Sequence, residues 1–313
     1  MAMTQTQILF PDENGLKRAA ELLRSGALVA FPTETVYGLG ADARQGIAVA
    51  AIYSAKGRPS FNPLIVHVAD AEQAKRYAQW SETAEILAST FWPGPLTLVL
   101  PLHDGHGLSS LVTAGLPSIA IRAPAHPTAQ ALLAQFDGPV AAPSANPSGR
   151  ISPTTAAHVM AGLNGRIAAV IDDGPCAVGL ESTIVGLVNR PTLLRAGGVP
   201  TEAIEAALGH ALEIGEEGNI TAPGQLASHY APQAKLRLNA TEARDDEVML
   251  GFGDVPGDLT LSRTGDLAEA AARLFDCLHQ LDATGRPIAV ASVPHTGLGR
   301  AINDRLTRAA APR

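Results

Sequence analysis

The sequence predicts an α/β layered fold, and two observations carry that reading. Short apolar runs alternate with segments of helical periodicity, and the alternation resumes on a smaller scale after a break rich in glycine and proline. Strands are expected at 27–31, 64–68, 97–100, 118–121, 140–142, 168–171, 183–188 and 192–195. Helical spacing falls at about 45–55, 71–90, 127–136, 154–161 and 201–208. Asp12 can cap a helix over 13–25, where Leu16, Ala19, Ala20 and Leu23 share a face and Gly26 supplies a stop. These elements make up a first domain, 1–208. Residues 209–232 have little apolar periodicity and read as a linker, ending in Ser228-His229-Tyr230-Ala231-Pro232. Residues 233–313 carry strands near 235–238, 248–251, 259–261 and 287–291, with helices near 266–281 and 298–310. This is a second α/β domain of about 80 residues, close to the lower limit for independent stability.

Composition narrows the function. The chain has 313 residues, 46% apolar and 17% charged, with a net charge of −7. That balance suits a compact folded protein and argues against one that coats nucleic acid or an anionic membrane. Cys176 and Cys277 stand alone, giving neither a disulfide framework nor a CxxC metal pair, as expected of a reducing compartment. Residues 1–10 lack the basic and apolar regions of a signal peptide, and no apolar run is long enough to span a bilayer. A cytoplasmic protein is expected. Walker A, G-x-S-x-G and HExxH motifs are all absent. The segment 251–257 matches a dinucleotide fingerprint poorly and reads as a turn.

Polar clusters instead sit at the ends of apolar strands. Phe31-Pro-Thr-Glu-Thr-Val-Tyr-Gly-Leu-Gly40 brings hydroxyls and backbone N–H groups to a turn, either for a small polar ligand or as ordinary loop caps. Lys56-Gly-Arg-Pro-Ser-Phe-Asn-Pro63 sets two cations two residues apart. Read as extended, the segment projects both to one side, where an anion would relieve their repulsion; a solvated basic loop is the alternative. His67 interrupts an apolar strand, as a hydrogen-bonded core histidine also would. Alternation puts Ser118, Ala120 and Arg122 on one face, with Arg122 at the carboxyl end where α/β sheets hold ligands. The run 142–152, containing Ser144, Asn146 and Ser152, offers hydroxyls and amides ahead of a helix expected to begin at Pro153-Thr154. Ser182 opens one strand and Arg195 closes the next. Lys56, Arg58, Arg122 and Arg195 are thus four cations at element ends in an acidic chain, which points to a pocket for an anionic small molecule.

Taken in order, PTETVYGLG, the K-x-R-P loop with NPLIVH, WPGPLT, SIAIR, APSANPSG, GLESTIV and LLRAG strongly resemble the YrdC family across about residues 15–205. SHYAP and a small domain ending in GLGRAINDRL resemble its long, two-domain form. The resemblance implies a YrdC-like twisted mixed sheet with helices, plus a small Rossmann-like C-terminal domain. It also implies an L-threonylcarbamoyladenylate synthase, a nucleotidyltransferase that turns L-threonine, bicarbonate and ATP into threonylcarbamoyl-AMP and pyrophosphate. The product serves a downstream tRNA-modifying transferase acting at N6 of adenosine 37. By motif, Thr35, His67, Arg122 and Ser182 fall on the threonine side. Lys56, Arg58, Asn62, Ser118, Ser144, Ser152 and Arg195 fall on the ATP side, with Asn146 supporting the same loop and Tyr230 folding back over the nucleotide. Lys56 and Arg58 are the catalytic candidates, and Mg²⁺ is expected to accompany ATP. An RNA-binding module of the same fold is the rival reading; the net charge of −7 and only 4 lysines make direct tRNA binding weak or absent. A carbamoyl-transfer domain of the hydrogenase-maturation type is a further rival, without the acylphosphatase and zinc-finger segments that accompany it.

Overall fold

The computed structural model describes residues 5–215 and 229–312. Ser228 and the central part of the expected linker lie outside the described residues. The chain opens with β1 (Gln7–Leu9), α1 (Glu13–Arg24), β2 (Val29–Phe31) and β3 (Gly38–Asp42), then α2 (Gly46–Lys56), β4 (Ile65–His67), α3 (Ala71–Ala74), α4 (Glu82–Phe91) and β5 (Leu96–Pro101). It continues through α5 (Ser110–Thr113), β6 (Ser118–Arg122), α6 (Pro127–Phe136), β7 (Val140–Ala141), α7 (Ala156–Leu163) and β8 (Ala169–Ile171). β9 (Thr183–Gly186), β10 (Thr192–Arg195), α8 (Thr201–Leu208) and β11 (Glu213–Ile214) complete the first sheet region. The second consists of β12 (Leu236–Arg237), β13 (Val248–Gly251), β14 (Leu259–Thr260), α9 (Leu267–Asp282), β15 (Ile288–Val290) and α10 (Leu298–Ala310).

Most elements follow their local signals. Asp12 caps α1 by accepting from the Gly15 N–H at 2.8 Å, and Asp266 caps α9 from Ala268 and Glu269. Three expectations need correction. The helix expected over 71–90 is two helices, because Ser81 accepts from the Ala84 N–H and starts α4 afresh while Ala78 bridges to Leu102. α7 begins at Ala156 rather than at Pro153-Thr154, with Thr155 as its cap. The end of the segment 31–40, read as a turn, opens a buried strand over 38–42, in which the missing side chain at Gly40 lets Phe31 pack closely.

The first sheet is mixed, in the order β1-β8-β2-β3-β7-β4-β6-β5-β9-β10-β11, and the second has four parallel strands ordered β12-β15-β13-β14. β11 falls within the segment read as linker and pairs parallel with β10. One main core covers the first sheet, including Leu39, Val66, Leu98, Ile121 and Val185. A second cluster packs Val29, Phe31, Val140 and Ile171 against α1 and α6, and a much smaller one holds Ile65, Val99, Ala120 and Ile184. The core of the second region is not confined to it: Val36, Ile151, Leu180 and Tyr230 pack with Leu274, Phe275 and Leu278 in one cluster. Among the described residues, no helix is long and apolar enough to cross a membrane.

Candidate active site

Strand direction gathers the first group of side chains. β4 and β6 run parallel, with His67 opposite Arg122 at their carboxyl ends. β9 runs antiparallel to β10, so Ser182, just before β9, and Arg195, at the end of β10, reach the same edge. The turn after β2 and the loop after β7 approach over the sheet, tied together by the Ala145 N–H donating to the Tyr37 carbonyl and by a Gly38–Ser144 bridge. The cavity between them is lined by Thr35, Arg58, His67, Arg122, Ser144, Ser182, Arg195 and Tyr230, all expected site residues. It is also lined by Thr33, Ile65, Glu181 and His229.

Arg122 is held on three sides. Its Nε donates to the Gly94 carbonyl at 3.1 Å, Nη1 to Thr35 Oγ1 at 2.9 Å, and Nη2 to Glu34 Oε1 at 2.5 Å. Thr35 Oγ1 is in turn 2.7 Å from Thr33 Oγ1. The guanidinium therefore keeps a fixed fork geometry suited to a carboxylate. His67 is fully enclosed, and burial first, then the nearby Arg122 charge, pushes its pKa down to about 3. It is a neutral imidazole at physiological pH. Ser182 Oγ lies 2.7 Å from Thr97 Oγ1, and Arg195 donates to the Ser182 carbonyl and hydroxyl at 2.8 and 3.2 Å.

The K-x-R segment departs from its sequence reading. Lys56 ends α2 and Gly57 turns left-handed (φ 60°), so the two cations do not sit side by side on an extended strand. Lys56 Nζ donates to the Ser144 and Asn146 carbonyls, each at 2.5 Å, and thereby braces the loop beneath the pocket. Arg58 donates to the carbonyls of Asn62 and Pro63 at 3.3 and 2.9 Å. Burial, followed by the proximity of Arg58, holds the Lys56 pKa well below its ordinary value; burial also brings Arg58 down to about 10. An anion entering here would favour the charged forms and oppose the lowering that burial imposes on both.

The remaining expected residues support the walls. The Asn146 amide donates to the Pro147 and Arg150 carbonyls at 2.9 Å each, and Ser152 Oγ donates to Glu181 Oε1 at 2.5 Å. The Asn62 carbonyl accepts from Arg58 and Tyr53. Ser118 starts β6, opposite Pro101 and about 13 Å along the strand from Arg122, and does not line the cavity.

Two carboxylates escaped the sequence reading although both lie inside quoted motifs. Glu34 pairs with Arg122, and Glu181 pairs with Arg305 through Nε–Oε2 at 2.8 Å. A capping or solvated acid looks the same in sequence, so nothing local marks them as buried. Burial alone would raise the Glu181 pKa, but Arg305, Arg195 and the Ser152 hydroxyl outweigh it and lower it. His229 and Tyr230 close the cavity. Burial holds His229 neutral, with a pKa of about 3, and raises that of Tyr230. Neither His229 Nδ1 nor the Tyr230 hydroxyl has a hydrogen-bond partner among the described residues, so these two lining residues retain bonding capacity to spare.

Comparison with known proteins gives this geometry a family. The Sua5/YciO/YrdC model, described as telomere recombination, matches residues 21–197. The chain belongs to the Sua5/YciO/YrdC family. A second model, described as threonylcarbamoyl-AMP synthase, C-terminal domain, matches residues 199–311 and accounts for the small parallel sheet. Threonylcarbamoyl-AMP synthase of Bacillus subtilis (strain 168) is 43% identical, over 98% of this chain and 96% of that protein. The protein of the same name from Pyrococcus abyssi is 41% identical, over 95% and 94% respectively. The crystal structure of P. abyssi Sua5 complexed with L-threonine superposes with a TM-score of 0.90 at 39% identity, covering 97% of this chain and 98% of that one. The family thus brings the expected YrdC-like sheet and the two-domain form together in one chain.

Proposed function

We infer that this chain is an L-threonylcarbamoyladenylate synthase, a nucleotidyltransferase that makes threonylcarbamoyl-AMP and pyrophosphate from L-threonine, bicarbonate and ATP. One observation carries the reading: Arg122, His67, Thr35 and Ser182 meet in one enclosed cavity, in a chain that overlays along its length on a threonine-bound relative. Arg122 takes the amino acid's carboxylate in a bidentate pair, while Thr35, Ser182 and the neutral His67 offer hydrogen bonds to its polar groups. Arg58 and Arg195 face the phosphates, and Lys56 acts by holding the Ser144–Asn146 loop in place.

The amino nitrogen of threonine adds to the carbon delivered as bicarbonate, with loss of water and a proton, giving a carbamate. A carbamate oxygen then attacks the α-phosphorus of ATP, the bond to the β-phosphate oxygen breaks, and pyrophosphate leaves. Negative charge accumulates on both sides of the α-phosphorus, so preorganised cations and positioning supply the catalysis without a protein nucleophile. Among the described residues, no group of three His, Cys, Asp or Glu side chains is placed to hold a metal ion. Mg²⁺ would enter on the phosphates of ATP, a habit of that ion. His229 and Tyr230 exclude water from a carbamate that is labile in it. Release of the product to a tRNA-modifying transferase in the cytoplasm, with direct tRNA binding weak or absent, agrees with the net charge of −7 and with two buried, unpaired cysteines.

The test is pyrophosphate release from ATP and bicarbonate across a panel of amino acids. Release should depend on L-threonine, with L-serine poorer by about 1–3 kcal/mol for its missing methyl. Threonine-independent release, or none at all, removes the proposal.

A further inference from the structure

We propose that Arg305 of the C-terminal domain is a positioning residue for the nucleotide side of the site, acting through Glu181 and the ring of Tyr230. The inference rests on the functional reading above and extends it to a residue outside the catalytic domain. Arg305 lies on α10, is 0% exposed, and heads the fully buried side chains by volume. A guanidinium buried this deeply is costly to desolvate, and an apolar side chain would dock the two domains without that penalty. Its contacts show what it holds.

Arg305 Nε grips one oxygen of Glu181, whose other oxygen accepts from Ser152. Glu181 lines the cavity and directly precedes Ser182, the residue that fixes Arg195. The Arg305 guanidinium also lies 5.1 Å from the centroid of the Tyr230 ring, and Phe275 stacks against that ring at 5.8 Å. Tyr230 has a left-handed backbone (φ 62°), a conformation that a bulky residue keeps only when its surroundings hold it. Nη1 of Arg305 bonds Asp304, which also accepts from Arg308, and the Arg308 carbonyl accepts the His229 N–H at 3.3 Å. One α10 cation therefore connects a cavity wall, the closing tyrosine and the backbone that carries it.

The test compares Arg305→Met, Arg305→Lys, Glu181→Gln and the Arg305→Met/Glu181→Gln double variant in the full chain. Arg305→Met should raise the KM for ATP about tenfold or more while leaving the KM for threonine within about threefold, with a smaller effect for Arg305→Lys. In the Glu181→Gln background the additional loss should largely disappear, because the two residues act as one unit. Hydrogen exchange reports independently of turnover. The amides of His229 and Ala231, which donate to Arg308 and Gly149, should exchange about tenfold faster in Arg305→Met, while those of the central strand β5 keep their protection. An unchanged KM for ATP, additive effects in the double variant, or full protection at 229–231 would each overturn the proposal. Should Arg305→Met fail to fold, Arg305→Lys and Glu181→Gln decide by the same readings. If the unaltered protein releases no pyrophosphate, the functional reading fails, and the exchange experiment still decides whether Arg305 holds the closing segment.

Discussion

Replacing Arg122 with lysine retains the charge and removes the fork. In the protein the guanidinium satisfies the Gly94 carbonyl, the Thr35 hydroxyl and the Glu34 carboxylate at once, at 3.1, 2.9 and 2.5 Å. A lysine ammonium on a flexible stem cannot span these acceptors and also present two parallel N–H groups to a substrate carboxylate. Losing one charge-assisted hydrogen bond costs about 1.5–3 kcal/mol, which corresponds to a rise in the KM for threonine of about 10- to 150-fold. One buried acceptor left unpaired should also lower stability by about 1–3 kcal/mol. Pyrophosphate release, titrated with threonine at saturating ATP and then with ATP at saturating threonine, separates the two substrates. Thermal melting of the same preparations measures the stability term. A KM for threonine within twofold of the parent, or a loss that appears on ATP instead, would refute the assignment of Arg122 to the amino acid.

Further perturbations follow from the same geometry. In Gly197→Ala the new Cβ would lie 2.3 Å from the Glu181 carbonyl and 2.4 Å from the Ser182 carbonyl carbon, so the protein should be poorly folded or inactive; a melting temperature equal to the parent's would show that the strand ends have room. Lys56→Met leaves the Ser144 and Asn146 carbonyls without their donor, at about 1–3 kcal/mol each, and should reduce both stability and ATP affinity; calorimetric titration and melting read both. His67 and His229 are held near pKa 3 and His158 near 4, chiefly by burial, so the folded state stays neutral where the unfolded chain takes up protons. Their contribution is complete above about pH 6.5 and is lost on acidification, by up to about 1.4 kcal/mol per histidine per pH unit. Melting temperatures should fall from pH 6.5 to 4.5, less steeply in His158→Gln, and a flat profile in the parent would contradict the buried neutral state.

The fold was readable where periodicity and caps agreed. The helices at 127–136 and 201–208 and the strands at 192–195 and 248–251 lie where apolar spacing put them. Reading failed where tertiary packing decides. β3 is built on glycines that no propensity favours, β1 is a three-residue strand paired, among the described residues, with β8, and Ser81 restarts a helix inside a continuous apolar pattern. At the site, the cations were visible because charge at strand ends is conspicuous in an acidic chain. The division between cations that face the cavity and those that brace it was not. Lys56 and Arg58 differ by one left-handed glycine, and only the turn at Gly57 shows that the lysine points under the loop. Glu34 and Glu181 were hidden for a related reason: a carboxylate's role depends on the arginine across from it, 88 residues away for Arg122 and 124 for Arg305.

The shared core of Val36, Ile151, Leu180 and Tyr230 with the helices of the second sheet bears on how this architecture can be rearranged. Two units joined by a linker are ordinarily treated as exchangeable modules, each replaceable by the counterpart of a relative. Here the boundary drawn in sequence is not the boundary drawn by packing, because three loops of the first unit contribute apolar side chains to the interior of the second. A chimera that exchanges only the C-terminal unit would set a foreign surface against those loops, and those loops frame the cavity. Exchange should succeed when positions 36, 151 and 180 travel with the C-terminal unit, which makes this small interior the heritable unit of the two-domain form.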